Sequence, residues 1–162
     1  MVSRADRLLE REVPVTDKTK IEHSKAVVRR FVDAMSRRDI EAAAGLVAEG
    51  LVNHAAIPEA QGRAGMRVIA AKLFSAFPDA AYALEEMFAE GDRVCCRTTF
   101  TGTHTGALEF VRMPLAATGR TVRNEAIHVY RVEGDSIVEH WACRDDMAML
   151  RQLGVLGAKA AA

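Results

Sequence analysis

An α+β fold, with its helices laid on one face of a curved antiparallel sheet, is what this sequence predicts, and three observations carry the expectation. Apolar residues recur every three or four positions through the first half of the chain and every second position through the second half. The alternating runs are separated by short Gly/Asp turns, Glu90-Gly91-Asp92 and Val132-Glu-Gly-Asp-Ser136, which read as hairpins. Helices first and antiparallel strands afterwards, with no βαβ alternation, argue α+β. No GxGxxG, GxxxxGK[ST] or internal repeat is present, which disfavours nucleotide-binding folds.

Taken in order, Met1 to Thr19 mixes charges with Pro14 and reads as a flexible tail. From Ile21 to about Arg37, Val27, Val28, Phe31, Val32 and Met35 form one helical stripe, with Lys25, Arg29, Arg30 and Asp33 opposite. A second helix runs from Asp39, its cap, to about Ala48, and Leu51-Val-Asn-His54 reads as a short strand. Gly62 and Gly65 mark a loop, and a third helix spans Met66 to Phe77, stopped by Pro78-Asp79. Tyr82, Leu84, Glu86 and Phe88 then alternate up to the Gly91 turn, and Val94, Cys96, Thr98 and Phe100 alternate after it. Thr101 to Arg120 holds Gly102, Gly106, Pro114 and Gly119, too much punctuation for one element, so it is a long excursion of the kind that carries function. Thr121 to Val132 is a strand with Val122, Asn124, Ala126, His128 and Tyr130 on one face, and Ile137 opens its returning partner. A short helix follows from Asp146, and the domain spans 20–156, with 157–162 a disordered tail.

A chain of 162 residues, 49% of them hydrophobic, supports one domain with its own core. Lys plus Arg and Asp plus Glu stand at 22 each with no basic run, which removes the electrostatic footprint of nucleic-acid binding. Cys95, Cys96 and Cys143 have neither an even count nor a CxxC spacing, which argues for reduced, buried thiols rather than disulfides or zinc. With no signal-peptide core and no run long enough to span a membrane, the expected location is the cytoplasm. The five histidines lack His-x-x-x-His or His-Glu spacing, so no metal site is expected.

The most informative stretch is Ile137-Val-Glu-His-Trp-Ala-Cys-Arg-Asp145. Strict alternation puts Ile137, Trp141, Cys143 and Asp145 on one face and Val138, His140, Ala142 and Arg144 on the other. On that pattern Asp145 lies beneath Trp141, where desolvation in a closed site raises a carboxyl pKa and suits it to proton transfer. Asp145 also stands at the start of a helix backed by Met147, Leu150 and Leu153, and Asp is a preferred N-cap. Spacing leaves both roles open.

Five ordered pieces resemble the SnoaL-like polyketide cyclase family. They are Val28-Arg-Arg-Phe-Val32, Leu51-Val-Asn-His54, Ala89-Glu-Gly-Asp-Arg-Val94 with Gly102-Thr-His-Thr-Gly106, Thr118-Gly-Arg-Thr-Val122, and Ile137-Val-Glu-His-Trp141 through Asp145 to Gln152-Leu-Gly154. The resemblance implies a cone-shaped sheet, related to ketosteroid isomerase and limonene-epoxide hydrolase, with about three N-terminal helices on its concave face and a short C-terminal helix. It implies Asp145 as the acid/base of an intramolecular aldol closure of an apolar carbonyl substrate, without metal or cofactor. His54 matches the place of the isomerase base and is expected to orient or stabilise an enolate oxygen, or to bond a backbone carbonyl at a strand end. His104 is expected at the mouth of the excursion, touching substrate or stabilising a turn. Phe31 and Trp141 are expected to form apolar cavity wall or packed core, and Asn124, His128 and Tyr130, a polar trio on one strand face, to line the cavity or form a dimer surface. Arg97 shares its face with Thr99 rather than an Asp, so half of the epoxide-hydrolase machinery is missing. Epoxide hydrolysis is the lesser enzymatic alternative, and a binding or assembly module without chemistry is the other. A sheet face left uncovered by helices implies a homodimer or higher homo-oligomer.

Overall fold

The computed structural model describes residues 15–56, 60–109 and 114–156. The tail expected over residues 1–19 lies outside them up to Pro14, as does the one over 157–162. The elements are α1 (Val15–Ser36), α2 (Ile40–Gly45), β1 (Val47–Asn53), α3 (Gly62–Ala76), β2 (Ala81–Glu90), β3 (Arg93–Thr103), β4 (Thr121–Glu133), β5 (Ser136–Arg144) and α4 (Asp146–Gln152). They build a mixed α+β protein around an open, curved five-stranded sheet of order β1-β5-β4-β3-β2. Strands β2 to β5 are antiparallel neighbours, and β1 adds to the free edge of β5 in parallel.

Helix α1 buries Ser24, Val27, Val28 and Val32, with Phe31 and Met35 partly covered, the stripe that its period demands. It packs with α2 and α3 over the inner sheet face, against Val94, Cys96, Tyr130 and Ile137. Each such aliphatic or aromatic side chain contributes about 1.5–3 kcal/mol on burial. A second cluster, Phe77, Phe100, Leu108, Val122, Met149 and Leu153, closes the far end.

Helix α1 starts at Val15 rather than Ile21, so residues 15–19 of the expected tail are helical, and two further helix boundaries differ from expectation for local reasons. Helix α2 ends at Gly45 rather than near Ala48, because Val47 enters the parallel ladder opposite Ile137. Helix α3 starts at Gly62 rather than Met66, because Gly65 serves close packing and not a turn: a Cβ there would lie 2.2 Å from the carbonyl carbon of Ala60.

The sheet also breaks strict register in three places, in β1 between Val47 and Val52 and at bulges in β2 and β5, and the two bulges decide which side chains face inward. In β2 the pairing steps from Leu84↔Thr98 to Glu86↔Arg97, so Glu85 is extra. Tyr82 and Leu84 face the core, but beyond the bulge Met87 and Ala89 do so, while Phe88 turns outward and is 62% exposed. In β5 the pairing steps from Val132↔Ile137 to Arg131↔Glu139, so Val138 is extra. The inner face that begins with Ile137 therefore continues as His140, Ala142 and Arg144. This corrects the alternation expected from sequence, which grouped Ile137 with Trp141 and Asp145.

The excursion after β3 is closed at its neck. His104 N–H donates to Arg120 O, Gly119 N–H to His104 O, and Leu108 and Leu115 form a bridge. Gly106 lies against the end of α3, its N–H donating to Ala76 O, and a Cβ there would meet Ser75 O at 2.1 Å. Backbone cannot yield as a side chain can. Gly106→Ala is therefore expected to cost about 3 kcal/mol or more and to lower the thermal midpoint by about 6–12 °C, measured by circular dichroism.

Helix α4 is fixed at both ends. Asp145 Oδ1 accepts the Ala148 N–H at 2.8 Å. Gln152 reaches across β4, its Oε1 accepting Arg123 N–H at 2.8 Å and its Nε2 donating to Arg123 O at 2.9 Å, as an extra strand would.

Candidate active site

The inner face of the sheet and helices α1, α3 and α4 enclose a cavity of about 410 Å³, within the range of small-molecule pockets. Strand pairing sets the inner sheet face out in rows, of which Asn53, Tyr82, Thr98, Phe100, Asn124, Ala126, His128, Tyr130, His140 and Arg144 line the cavity. Tyr82, Phe100 and Asn124 form one; Leu84, Thr98, Ala126 and Arg144 the next; then Met87, Cys96, His128 and Ala142; then Ala89, Val94, Tyr130, His140 and Asn53. Phe31, Met35, Met66, Ile69, Leu73 and Met149 form the apolar roof. Charged side chains stand at its edge as two pairs, Lys72 with Glu109 at 3.6 Å and Arg144 with Asp146 at 3.4 Å.

The polar centre is a chain of three side chains whose protons can be assigned. Asn53 Oδ1 accepts the Ala55 backbone N–H at 3.1 Å, which identifies that atom as oxygen and leaves it only an acceptor's role. His140 Nδ1, 3.1 Å away, must then carry hydrogen and donate to it. Burial pushes the His140 pKa down to about 3, reinforced by His128, Arg144 and His54, so the ring is neutral at pH 7 and its Nε2 is bare. His128 Nδ1, 3.0 Å from that nitrogen, must in turn donate. His128 is itself neutral, pushed to about 4 by burial and then by Arg144. Its Nε2 therefore carries the lone pair, with no hydrogen bond to the described residues, and the ring lines the cavity. Tyr130 stacks on both rings, 4.7 Å from His140 and 5.8 Å from His128, and holds them in register. Asn53 is clamped by Gln61, whose Oε1 accepts Asn53 N–H at 2.7 Å and whose Nε2 donates to Asn53 O at 2.9 Å.

Of the side chains singled out from sequence, Phe31, Asn124 and His128 line this cavity together. Trp141 lies on the outer sheet face, stacked on His54 at 4.6 Å with the Arg93 guanidinium 5.4 Å from its ring centre. His54 pairs there with Glu139 at 3.5 Å. Asp145 is exposed, caps α4, and borders a shallow depression on the outer face with Arg97, Ile127 and Cys143. The desolvated carboxylate beneath Trp141 is thus replaced by an exposed cap, because the Val138 bulge sends that face outward. His104 is fully buried against Phe77 at 5.1 Å, its Nδ1 accepting the Thr118 N–H, and burial lowers its pKa. It does not line the cavity. Sequence reasoning missed Asn53, Tyr82 and above all His140, whose signal was its place on the strand facing His128 across the Gly134 hairpin. Among the described residues no group of three or more His, Cys, Asp or Glu is placed to hold a metal ion.

An open curved sheet with helices on its inner face and an apolar, ligand-sized cavity between them defines a small-molecule-binding α+β protein of the cone type. The family model for SnoaL-like polyketide cyclase matches residues 25–153, and the chain belongs to that family. The family binds small-molecule substrates. Among solved structures, the chain is similar to AclR, a candidate hydroxylase from Streptomyces galilaeus, at 27% identity and TM-score 0.72 over 85% of this chain and 99% of that one. IdmH, a candidate polyketide cyclase from Streptomyces antibioticus, matches at 27% identity and TM-score 0.68 over 81% and 98%. TsrD from Streptomyces laurentii shares the fold at 23% identity and TM-score 0.72 over 83% and 97%. The comparison with curated protein sequences found no match. Among the described residues no helix is long and apolar enough to cross a membrane.

Proposed function

We propose that this protein is a cofactor-independent cyclase that closes a ring in an apolar carbonyl substrate by intramolecular aldol addition, with His128 as the base. The observation that carries the reading is the directed hydrogen-bond chain Asn53–His140–His128, which ends in a bare nitrogen on an apolar cavity. His128 Nε2 takes the proton from a carbon flanked by two carbonyl groups. The C–H pair becomes an enolate, which forms the new C–C bond to a second carbonyl carbon of the same molecule. The alkoxide so produced takes the proton back from Nε2, so atoms and charge balance without redox chemistry.

A histidine held near pKa 4 is a weak base by itself, and the substrate corrects this. The positive field of Arg144, which disfavours imidazolium, favours the enolate oxygen, and imidazolium and enolate then stabilise each other at short range in a site of low polarity. His140 stiffens the proton donor side of His128 and shares its charge. On this reading Asp145 shapes the site indirectly, by capping α4 so that Asp146 can hold Arg144 at the edge. The testing experiment is ring closure of an anthraquinone-type keto ester, wild type against His128→Gln. Equal rates overturn the assignment of the base, and tight binding without turnover assigns the cavity to binding alone.

The same reading includes a homodimer in the cytoplasm. On the outer face Phe88, Cys95, Val129 and Trp141 form one apolar row, and Ile127 is exposed beside Arg97. Arg97 approaches both Glu86 and Glu125 at 3.9 Å, and Arg123 pairs with Glu125 at 2.9 Å. A face with both charge signs around an apolar row is complementary to a two-fold copy of itself. Three free thiols, one exposed at Cys143, suit a reducing compartment. Phe88→Glu combined with Ile127→Glu is expected to halve the mass seen by light scattering with the fold retained. A wild type that runs as a monomer sinks the dimer.

A further inference from the structure

The parallel pairing that brings Asn53 to His140 is short. Beyond the register break after Val47, only Val52↔Glu139 and Asn53↔His140 join β1 to β5, and the strand ends at Asn53. The end of an edge strand frays unless something holds it, yet the tautomers of His140 and His128 both depend on where Asn53 Oδ1 sits. Gln61 ties the Asn53 backbone to the start of α3 and not to β5. The two strands are joined on both faces of the sheet instead. Inside, His140 Nδ1 donates to Asn53 Oδ1 at 3.1 Å. In the plane of the sheet, His54 N–H donates to His140 O at 2.9 Å. The next residue of each strand points the other way, and outside the His54 ring lies on the Trp141 indole, centroids 4.6 Å apart and planes 5° from parallel. Of the two contacts that the His54 ring makes, the stack is the one that holds. His54 Nε2 stands 3.5 Å from Glu139 Oε2, a long contact between partly exposed groups, and Glu139 already accepts two bonds from Arg131 at 2.9 and 2.6 Å. Aromatic rings in contact attract beyond the area that they bury, and Trp141 is itself fixed opposite Val129 with the Arg93 guanidinium over its ring.

We infer that His54 and Trp141 are positioning residues: their stack on the outer face clasps the end of β1 to β5, and so holds Asn53 where it decides which nitrogen of His140, and then of His128, carries hydrogen. The consequence of release follows from the donors and acceptors alone. With Asn53 withdrawn, His140 is free to carry its hydrogen on Nε2 and donate to His128 Nδ1, which must then accept. The hydrogen of His128 moves to Nε2, and the lone pair that proton transfer needs is gone. Neither His54 nor Trp141 lines the cavity, so the clasp acts on turnover and leaves binding alone. Its effect on rate rests on His128 as the base; its effect on the tautomers does not.

The test reads the imidazole nitrogens of the full chain, labelled with nitrogen-15, by long-range proton–nitrogen correlation at neutral pH, which shows where each ring carries hydrogen. His128→Gln and His140→Gln assign the two rings. In wild type both are expected to carry it on Nδ1, and a wild type without that pattern overturns the clasp together with the chain it serves. His54→Ala and Trp141→Ala are each expected to lose the pattern and to lower kcat for ring closure by about tenfold to a hundredfold with KM unchanged, as displacement of a catalytic group from a distance does. Trp141→Phe keeps an aromatic face and is expected to retain both the pattern and kcat within about twofold. Circular dichroism reports on folding; should His54→Ala not fold, His54→Gln, which can still bond Glu139 but gives up the ring, is read in its place. Phe88→Glu with Ile127→Glu, on the same sheet face but outside the clasp, is expected to keep the pattern, so loss of a partner copy does not imitate the effect. A pattern that survives either alanine replacement, or that Trp141→Phe fails to retain, overturns the clasp. A pattern that changes as expected while ring closure is indifferent to His128→Gln leaves the clasp standing and overturns the base.

Discussion

His128→Gln is expected to slow ring closure by about a hundredfold or more, the usual contribution of a positioned general base, with the fold unchanged. Glutamine is the informative replacement because its amide N–H can still donate to His140 Nε2, 3.0 Å from the native nitrogen. The hydrogen-bond chain and its packing against Tyr130 persist, and only the basic nitrogen facing the cavity is lost. Asp145→Asn belongs beside it. Asparagine caps a helix as well as aspartate does, so an Asp145 whose function is to accept the Ala148 N–H can be replaced with little effect on rate. The two variants therefore give opposite patterns for the two assignments. Loss with His128→Gln and near-native rate with Asp145→Asn places the base inside the cavity; the reverse pattern returns the role to the carboxylate that the family signature marks.

The sequence carried the framework of this site more fully than its content. Period and punctuation placed the helices, both hairpins and the Asn124–His128–Tyr130 face, because those signals are local and repeat within a few residues. The failure came at one residue. An unbroken ladder continued from Val132↔Ile137 would set Tyr130 opposite Glu139 and His128 opposite Trp141, and Trp141 would then line the cavity. The extra residue Val138 shifts the register so that His128 faces Ala142 and Tyr130 faces His140. Nothing in Ile137-Val-Glu-His-Trp announces a bulge, since every residue there suits either face. Glu85 repeats the lesson in β2, where Phe88 was expected beside Tyr82 and points outward instead. Long-range partnership was equally hidden: Asn53 meets His140 across 87 positions, through a parallel pairing that no turn signals. Residues that read equally well as cap and as catalyst, such as Asp145, are separated by the direction of a pleat, and one bulge reverses it.

Lowering the pH from 7 to 4 is expected to remove several kcal/mol from the stability of the native state, a large part of the 5–15 kcal/mol typical of a domain. His128 and His140 titrate at about 4 and about 3 in the folded protein against an ordinary 6.5. Between those values the unfolded chain binds protons that the native state refuses, so stability is full above about 6.5 and falls as the pH drops toward 4. Each unit of difference is worth about 1.4 kcal/mol, and the two rings share one hydrogen bond, so they titrate as a pair rather than as independent sites. His104, lowered by burial, adds in the same direction. The carboxylates with lowered pKa, Glu41, Asp79 and Glu139, have ordinary values of 4.5, 3.8 and 4.5, so they act only at the acid end of the window. Urea midpoints measured from pH 7 to 5 therefore isolate the histidines. In His128→Gln combined with His140→Gln, where each amide can reproduce its ring's hydrogen bonds without titrating, the slope should shrink to what His104 leaves. A double variant as acid-sensitive as wild type would mean that the two rings titrate in the folded protein as they do in the unfolded chain, which would overturn the buried, neutral pair described above.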